Sequence, residues 1–93
     1  MTSLLERYDA AVATVTQERN EAYAHPSVNF DRIVRLKAVV ADCPDPLVRH
    51  ALEMIAVKMA RLIETPDHLD SWIDVAGYAR TAVMCLNARG GAL

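Results

Sequence analysis

The placement of proline constrains this 93-residue chain more than any other feature. Pro26, the pair Pro44 and Pro46, and Pro66 mark three breaks. A proline has no N–H to donate, and its ring collides with the preceding turn. It therefore starts a helix well and does not sit inside one. The four stretches between the breaks repeat apolar residues at steps of three and four, the period of one helix face. No stretch reads as a strand. The short connections favour antiparallel neighbours, so the expectation is an all-α fold, a compact bundle of about four helices.

The first helix is expected from about Ser3 to Ala24. Ser3 with Glu6 forms a capping box, in which each satisfies an exposed backbone donor at the other. Leu5, Tyr8, Val12, Val15, Arg19 and Ala22 share one face. Arg19 there either packs its stem and lifts its charge to the edge, or serves a buried pair or a ligand. The second helix opens at His25-Pro26-Ser27, turns Phe30, Ile33, Val34, Val40 and Ala41 inward, and stops at Asp42-Cys43-Pro44-Asp45-Pro46. Asp45 caps the third, with Pro46 at its first position. Val48, Leu52, Ile55, Met59 and Leu62 form its core stripe, flanked by Ala51 and Ile63. Glu64-Thr65-Pro66 interrupts the chain again. Asp67 is expected to cap the fourth helix, with Leu69, Trp72, Ile73, Ala76, Ala79, Val83 and Leu86 toward the core. The whole reads as a single domain over residues 1–93, with a frayed end from about residue 88.

Hydrophobic residues make up 53% of the chain and the mean hydropathy is +0.10, high for so short a protein. A domain this small hides only about 60–65% of its unfolded surface on its own. The surplus predicts burial between subunits, as a homo-oligomer. No apolar run approaches the roughly 18 residues that cross a bilayer, and no basic-then-apolar leader opens the chain, so neither a membrane span nor a signal peptide is expected. The net charge is -2, the basic residues are scattered and aromatics are only 5%, which argues against nucleic-acid binding. Cys43 and Cys85 fit no CxxC pattern and read as free thiols. His25, His50 and His68 are too dispersed for a metal site.

One stretch looks shaped for a ligand. From Lys58 to Tyr78 it reads KMARLIETPDHLDSWIDVAGY. Asp70, Asp74, Gly77 and Thr81 fall at steps of four, three and four, a narrow stripe beside the apolar face. Carboxylates one turn apart can share a magnesium ion with water and substrate phosphate. They also repel each other, and Lys58 and Arg61 on the preceding helix are placed to compensate. The pair therefore reads either as a ligand site or as an ion network pinning the hairpin. Gly77 costs about 1 kcal/mol against alanine inside a helix. It signals either close helix packing or room for a ligand. Tyr78 sits at the other edge, as a ligand neighbour or an interface residue. Glu18 and Glu21 either face solvent or complete a four-carboxylate cage with Asp70 and Asp74.

Arg19-x-x-x-Tyr23, then His25-Pro26, then Asn29-Phe30-x-x-Ile33 resembles the opening of a family of small uncharacterised all-α bacteriophage proteins. Lys58-Met-Ala-Arg61, followed by Asp67-His68-x-Asp70-Ser71-x-x-Asp74-x-x-Gly77-Tyr78, resembles its second half. Ala24 stands where that family carries glycine, which singles out the turn after Tyr23. The second motif is also similar to a phage domain associated with nucleotide modification, and more remotely to the all-α nucleoside triphosphate pyrophosphatases of the MazG type. The Glu-Glu-x-x-Glu of that type is absent, and Glu18-Arg19-Asn20-Glu21 is a thinner version. The resemblance implies a small phage accessory protein in the cytoplasm of the bacterial host, handling a nucleotide with Mg2+. Glu18, Glu21, Asp70 and Asp74 would hold the metal, and Lys58, Arg61, Arg19 and Tyr23 would contact the substrate. The alternative is a non-enzymatic protein that binds a host protein during infection and is toxic to the host.

Overall fold

A computed structural model describes residues 2–90, with the backbone alone for residues 19–23. Four helices follow in order: α1 (Leu4–Tyr23), α2 (Pro26–Val40), α3 (Pro46–Glu64) and α4 (Leu69–Ala88). No strand occurs among the described residues, and no described helix is long and apolar enough to cross a membrane. The expected frayed end falls partly on residues 91–93, which lie outside the described residues. Before them, α4 stays helical to Ala88 and the chain turns at Gly90 with φ +85°.

The prolines act where they were expected to. Pro26 and Pro46 stand in the first turns of α2 and α3. Ser3 Oγ accepts from the Glu6 N–H at 3.1 Å. His25 Nδ1 accepts from the Ser27 N–H at 3.2 Å. Asp45 Oδ1 accepts from the N–H groups of Leu47 and Val48 at 3.0 and 3.1 Å, and the Arg89 guanidinium pairs with the same carboxylate. The Val48 hydrogen bond and then the one from Arg89 hold the Asp45 carboxyl below the usual carboxylate range. That contact also ties the end of α4 to the start of α3. The fourth cap differs from expectation. His68, not Asp67, occupies the N-cap, because the turn is anchored by the His68 ring against Ser71 Oγ at 2.7 Å and by the Trp72 indole donating to the Pro66 carbonyl at 2.9 Å.

α3 is the spine. α4 packs along one side of it and α2 along another, and α1 meets α2 and α3 but, among the described residues, not α4. The buried apolar residues, Ala51, Ala56, Ala60 and Leu62, all belong to α3. Three alanines let neighbouring backbones approach closely. Ion pairs at the rim, Arg32–Glu64 at 2.8 Å and Lys37–Glu53 at 3.9 Å, fix α2 antiparallel to α3.

Three expected core faces turn outward instead. All described side chains of α1 are exposed, Leu5, Tyr8, Val12 and Val15 among them. Phe30 and Val34 of α2 are exposed, while Asn29 is buried with no partner for its Oδ1 among the described residues. On α4, Leu69, Ile73, Ala76, Ala79 and Val83 are exposed, Trp72 stands half-exposed at the edge of a cavity it shares with Ile55, Met59 and Leu62 of α3, and fully buried Ser71 sits at the seam. The cause is size: a serine lets α4 approach the alanines of α3, which a row of large side chains would prevent. The compact part is α2–α4. Because α1 packs so little, the chain extends to 57 Å, and its radius of gyration is 16.8 Å against about 12 Å for a compact chain of this length.

α1 ends on a strained residue. Ala24 has φ +70° and ψ -178°, a region that is essentially glycine's own. The chain makes the turn there with a side chain that the backbone disfavours. Replacing Ala24 with glycine is therefore expected to stabilise the protein by about 1 kcal/mol, raising the thermal midpoint by a few degrees. An unchanged or lower midpoint in a thermal scan would contradict this.

Candidate functional site

The hairpin of α3 and α4 brings the polar stripe against the spine. Lys58 lies one turn from Met54 on α3, and Asp74 one turn from Tyr78 on α4. Lys58 Nζ meets Asp74 Oδ2 at 3.0 Å, with the lysine side chain only 12% exposed and the aspartate 46%. The lysine stem packs between the helices while its amine emerges at the rim. Of the two aspartates, Asp74 is the one paired with Lys58. Asp70 stays exposed in the first turn of α4, where the helix dipole favours a negative charge. Arg61 is half-buried on α3.

Gly77 is not there for close packing. A Cβ built on it would meet nothing within 4 Å. The space beside it is open, on the same stripe as Asp70 and Thr81. The Thr81 hydroxyl donates to the Gly77 carbonyl at 3.0 Å.

One turn beyond the ion pair, the same groove widens into a cavity of about 260 Å³ lined mainly by Leu47, His50, Met54, Tyr78, Thr81 and Cys85. Its walls are chiefly apolar. Tyr78, read from the sequence as a ligand neighbour or an interface residue, is a wall of it, and Thr81 of the expected stripe lines it too. His50, Met54 and Cys85 were not anticipated as lining residues. The spacing did contain the signal: residues 47, 50, 54 and 58 of α3 and 74, 78, 81 and 85 of α4 recur at helical steps, so each set lines one side of a groove.

Of the other half of the expected site, Glu18 is exposed on α1, which among the described residues does not touch α4. Arg19, Glu21 and Tyr23 lie outside the residues whose side chains are described. Among the described residues, no three histidine, cysteine, aspartate or glutamate side chains come together as a metal site. Cys43 and Cys85 are free thiols.

Comparison with known proteins places this geometry in a family. Residues 6–85 match the model of a domain of unknown function, DUF6378. The chain is 40% identical over 62 residues to the Gene 55 protein of Mycobacterium phage D29, an overlap of 67% of this chain and 41% of that protein. It thus spans less than half the length of this relative. No solved structure matches.

Lys58 is mostly covered but Asp74 is half-exposed to screening solvent, so the coupling should be modest, about 1 kcal/mol. A double-mutant cycle of Lys58→Met and Asp74→Asn, read by denaturant unfolding, is expected to return that value. A coupling indistinguishable from zero would mean that the pair does not pin the hairpin.

Proposed function

The chain belongs to the DUF6378 family, and from its own groove we propose that it is a small phage accessory protein that binds a nucleotide between α3 and α4, in the cytoplasm of the bacterial host. One observation carries this reading. The Lys58–Asp74 ion pair and an apolar, tyrosine-walled cavity adjoin along a single groove. A base would lie against Tyr78 and Met54, and the phosphates would reach toward Lys58 and Arg61. At about 260 Å³ the cavity is below the roughly 300–1,000 Å³ of sites that enclose a whole drug-sized ligand. It suits a base, with the phosphates left at the rim.

Magnesium enters this reading as a companion of the nucleotide. Mg2+ is commonly held by one or two carboxylates together with substrate phosphates. Asp70 and Asp74 fit that limited role. They do not make a metal cage by themselves, and Asp74 already has a cation beside it. Its part would be to exchange Lys58 for the metal while the lysine amine turns to a phosphate. The stronger version, pyrophosphohydrolysis of the MazG kind, further requires Glu18 and Glu21 as metal ligands and Arg19 and Tyr23 as substrate contacts. A second reading, a non-enzymatic and toxic protein that binds a host factor, draws support from the exposed apolar side chains of α1 and α4.

Calorimetric titration of the protein with nucleoside triphosphates, with and without Mg2+, tests the first reading. Binding is expected, stronger with Mg2+. Lys58→Ala and Tyr78→Ala are each expected to weaken it about tenfold, the equivalent of about 1.4 kcal/mol. Absence of binding heat with every nucleotide, together with no pyrophosphate release, would sink it.

A further inference from the structure

The chain exposes more surface than a folded monomer of its mass should. Its accessible surface is 6849 Å². A monomeric protein of 10.3 kDa exposes about 5,400 Å². The difference, roughly 1,500 Å², is more than the ~800 Å² that each partner gives to a standard stable interface.

Exposed large apolar side chains occur on all four helices, and α1 and α4 each carry a row of them along one face. α1 presents Leu5, Tyr8, Val12 and Val15 at steps of three, four and three, with Val12 42% exposed. α4 presents Leu69, Trp72, Ile73 and Val83, with Trp72 at 53% and Ile73 at 58%. Both helices are 20 residues long, about 30 Å at 1.5 Å per residue. α1 and α4 each touch α3, yet among the described residues they do not touch each other. Around α3, the contact that would close a four-helix arrangement is missing within the chain.

We infer that this contact is made between chains, so that α1 of one copy lies along the outward face of α4 in a second copy, and the reverse. A two-fold dimer supplies both contacts in one arrangement, because each surface meets the other's complement. The occupant is a second copy because matched apolar faces of equal length and enough area for both already exist on this one chain. Asp74 and Tyr78 point away from that face: at 100° per residue they lie roughly 150° around α4 from the Trp72–Ile73 side. The dimer therefore leaves the α3–α4 groove open, and its test does not depend on nucleotide binding.

Sedimentation equilibrium of the full chain at micromolar concentration is expected to give twice the 10.3 kDa chain mass. Val12→Glu and Ile73→Glu are each expected to raise the dissociation constant at least tenfold, whereas Arg35→Glu, at an exposed position of α2, leaves it unchanged. A second measurement covers the case in which a separated subunit unfolds. Two proteins carrying Cys43→Ser and Cys85→Ser, one with Val12→Cys and one with Ile73→Cys, are mixed and treated with a short bismaleimide. A cross-linked heterodimer is expected. A monomeric wild type overturns the dimer and releases the apolar faces to a host protein. A dimer that withstands both glutamates, or cross-linking of the Val12→Cys protein only to itself, overturns the pairing of α1 with α4.

Discussion

α3 holds the other helices through very small side chains. Ala51, Ala56 and Ala60, with Leu62, make up its buried apolar surface, and Ser71 of α4 fills the seam opposite. Hydrophobic stabilisation grows with the apolar area removed from water, at roughly 25 cal/mol per Å². An alanine methyl removes little. Close approach of the backbones is what such residues offer in return, and it dictates the rest of the molecule. Apart from Leu62, the buried apolar positions hold only small side chains, and most large apolar side chains ring the outside of the seam. The ion pairs Arg32–Glu64 and Lys58–Asp74 then sit at the rims, where the helices diverge.

The same packing creates the candidate site. As α3 and α4 diverge along one side, their small residues leave the cavity walled by Met54 and Tyr78. Lys58 is long enough to pack its stem in the seam and still bring its amine to Asp74. Structure and the proposed binding thus draw on the same residues. Lys58 pairs with Asp74 across the hairpin. In the proposed nucleotide complex Lys58 would turn toward a phosphate and Asp74 would become available to a cation, so ligand binding would loosen one rim contact as it forms others.

Helix number, helix order and the caps at Ser3, His25 and Asp45 were legible in the sequence because proline and short polar side chains act locally. The direction of each apolar face was not. A step of three and four says that Leu69, Trp72, Ile73 and Val83 share a side of α4. It does not say whether that side meets α3 or something outside the chain. Ser71 carries no hydrophobic signal, yet it is fully buried. Lys58 and Asp74 could be paired from the hairpin they flank. The cavity beyond them was present only as helical spacing, since His50, Met54 and Cys85 look ordinary until two helices bring them together. Ala24 shows the converse: the resemblance placed it where a glycine was expected, but only the backbone, at φ +70°, reveals what an alanine costs there.

With so little apolar surface buried inside one chain, the proposed second copy would supply much of this fold's stability. Stability of that kind follows mass action. The most direct test is the thermal midpoint measured over a hundredfold range of protein concentration. The proposed dimer requires a midpoint that climbs steadily as concentration rises, under one cooperative transition. A midpoint independent of concentration would show that α2–α4, with α1 attached, stand alone.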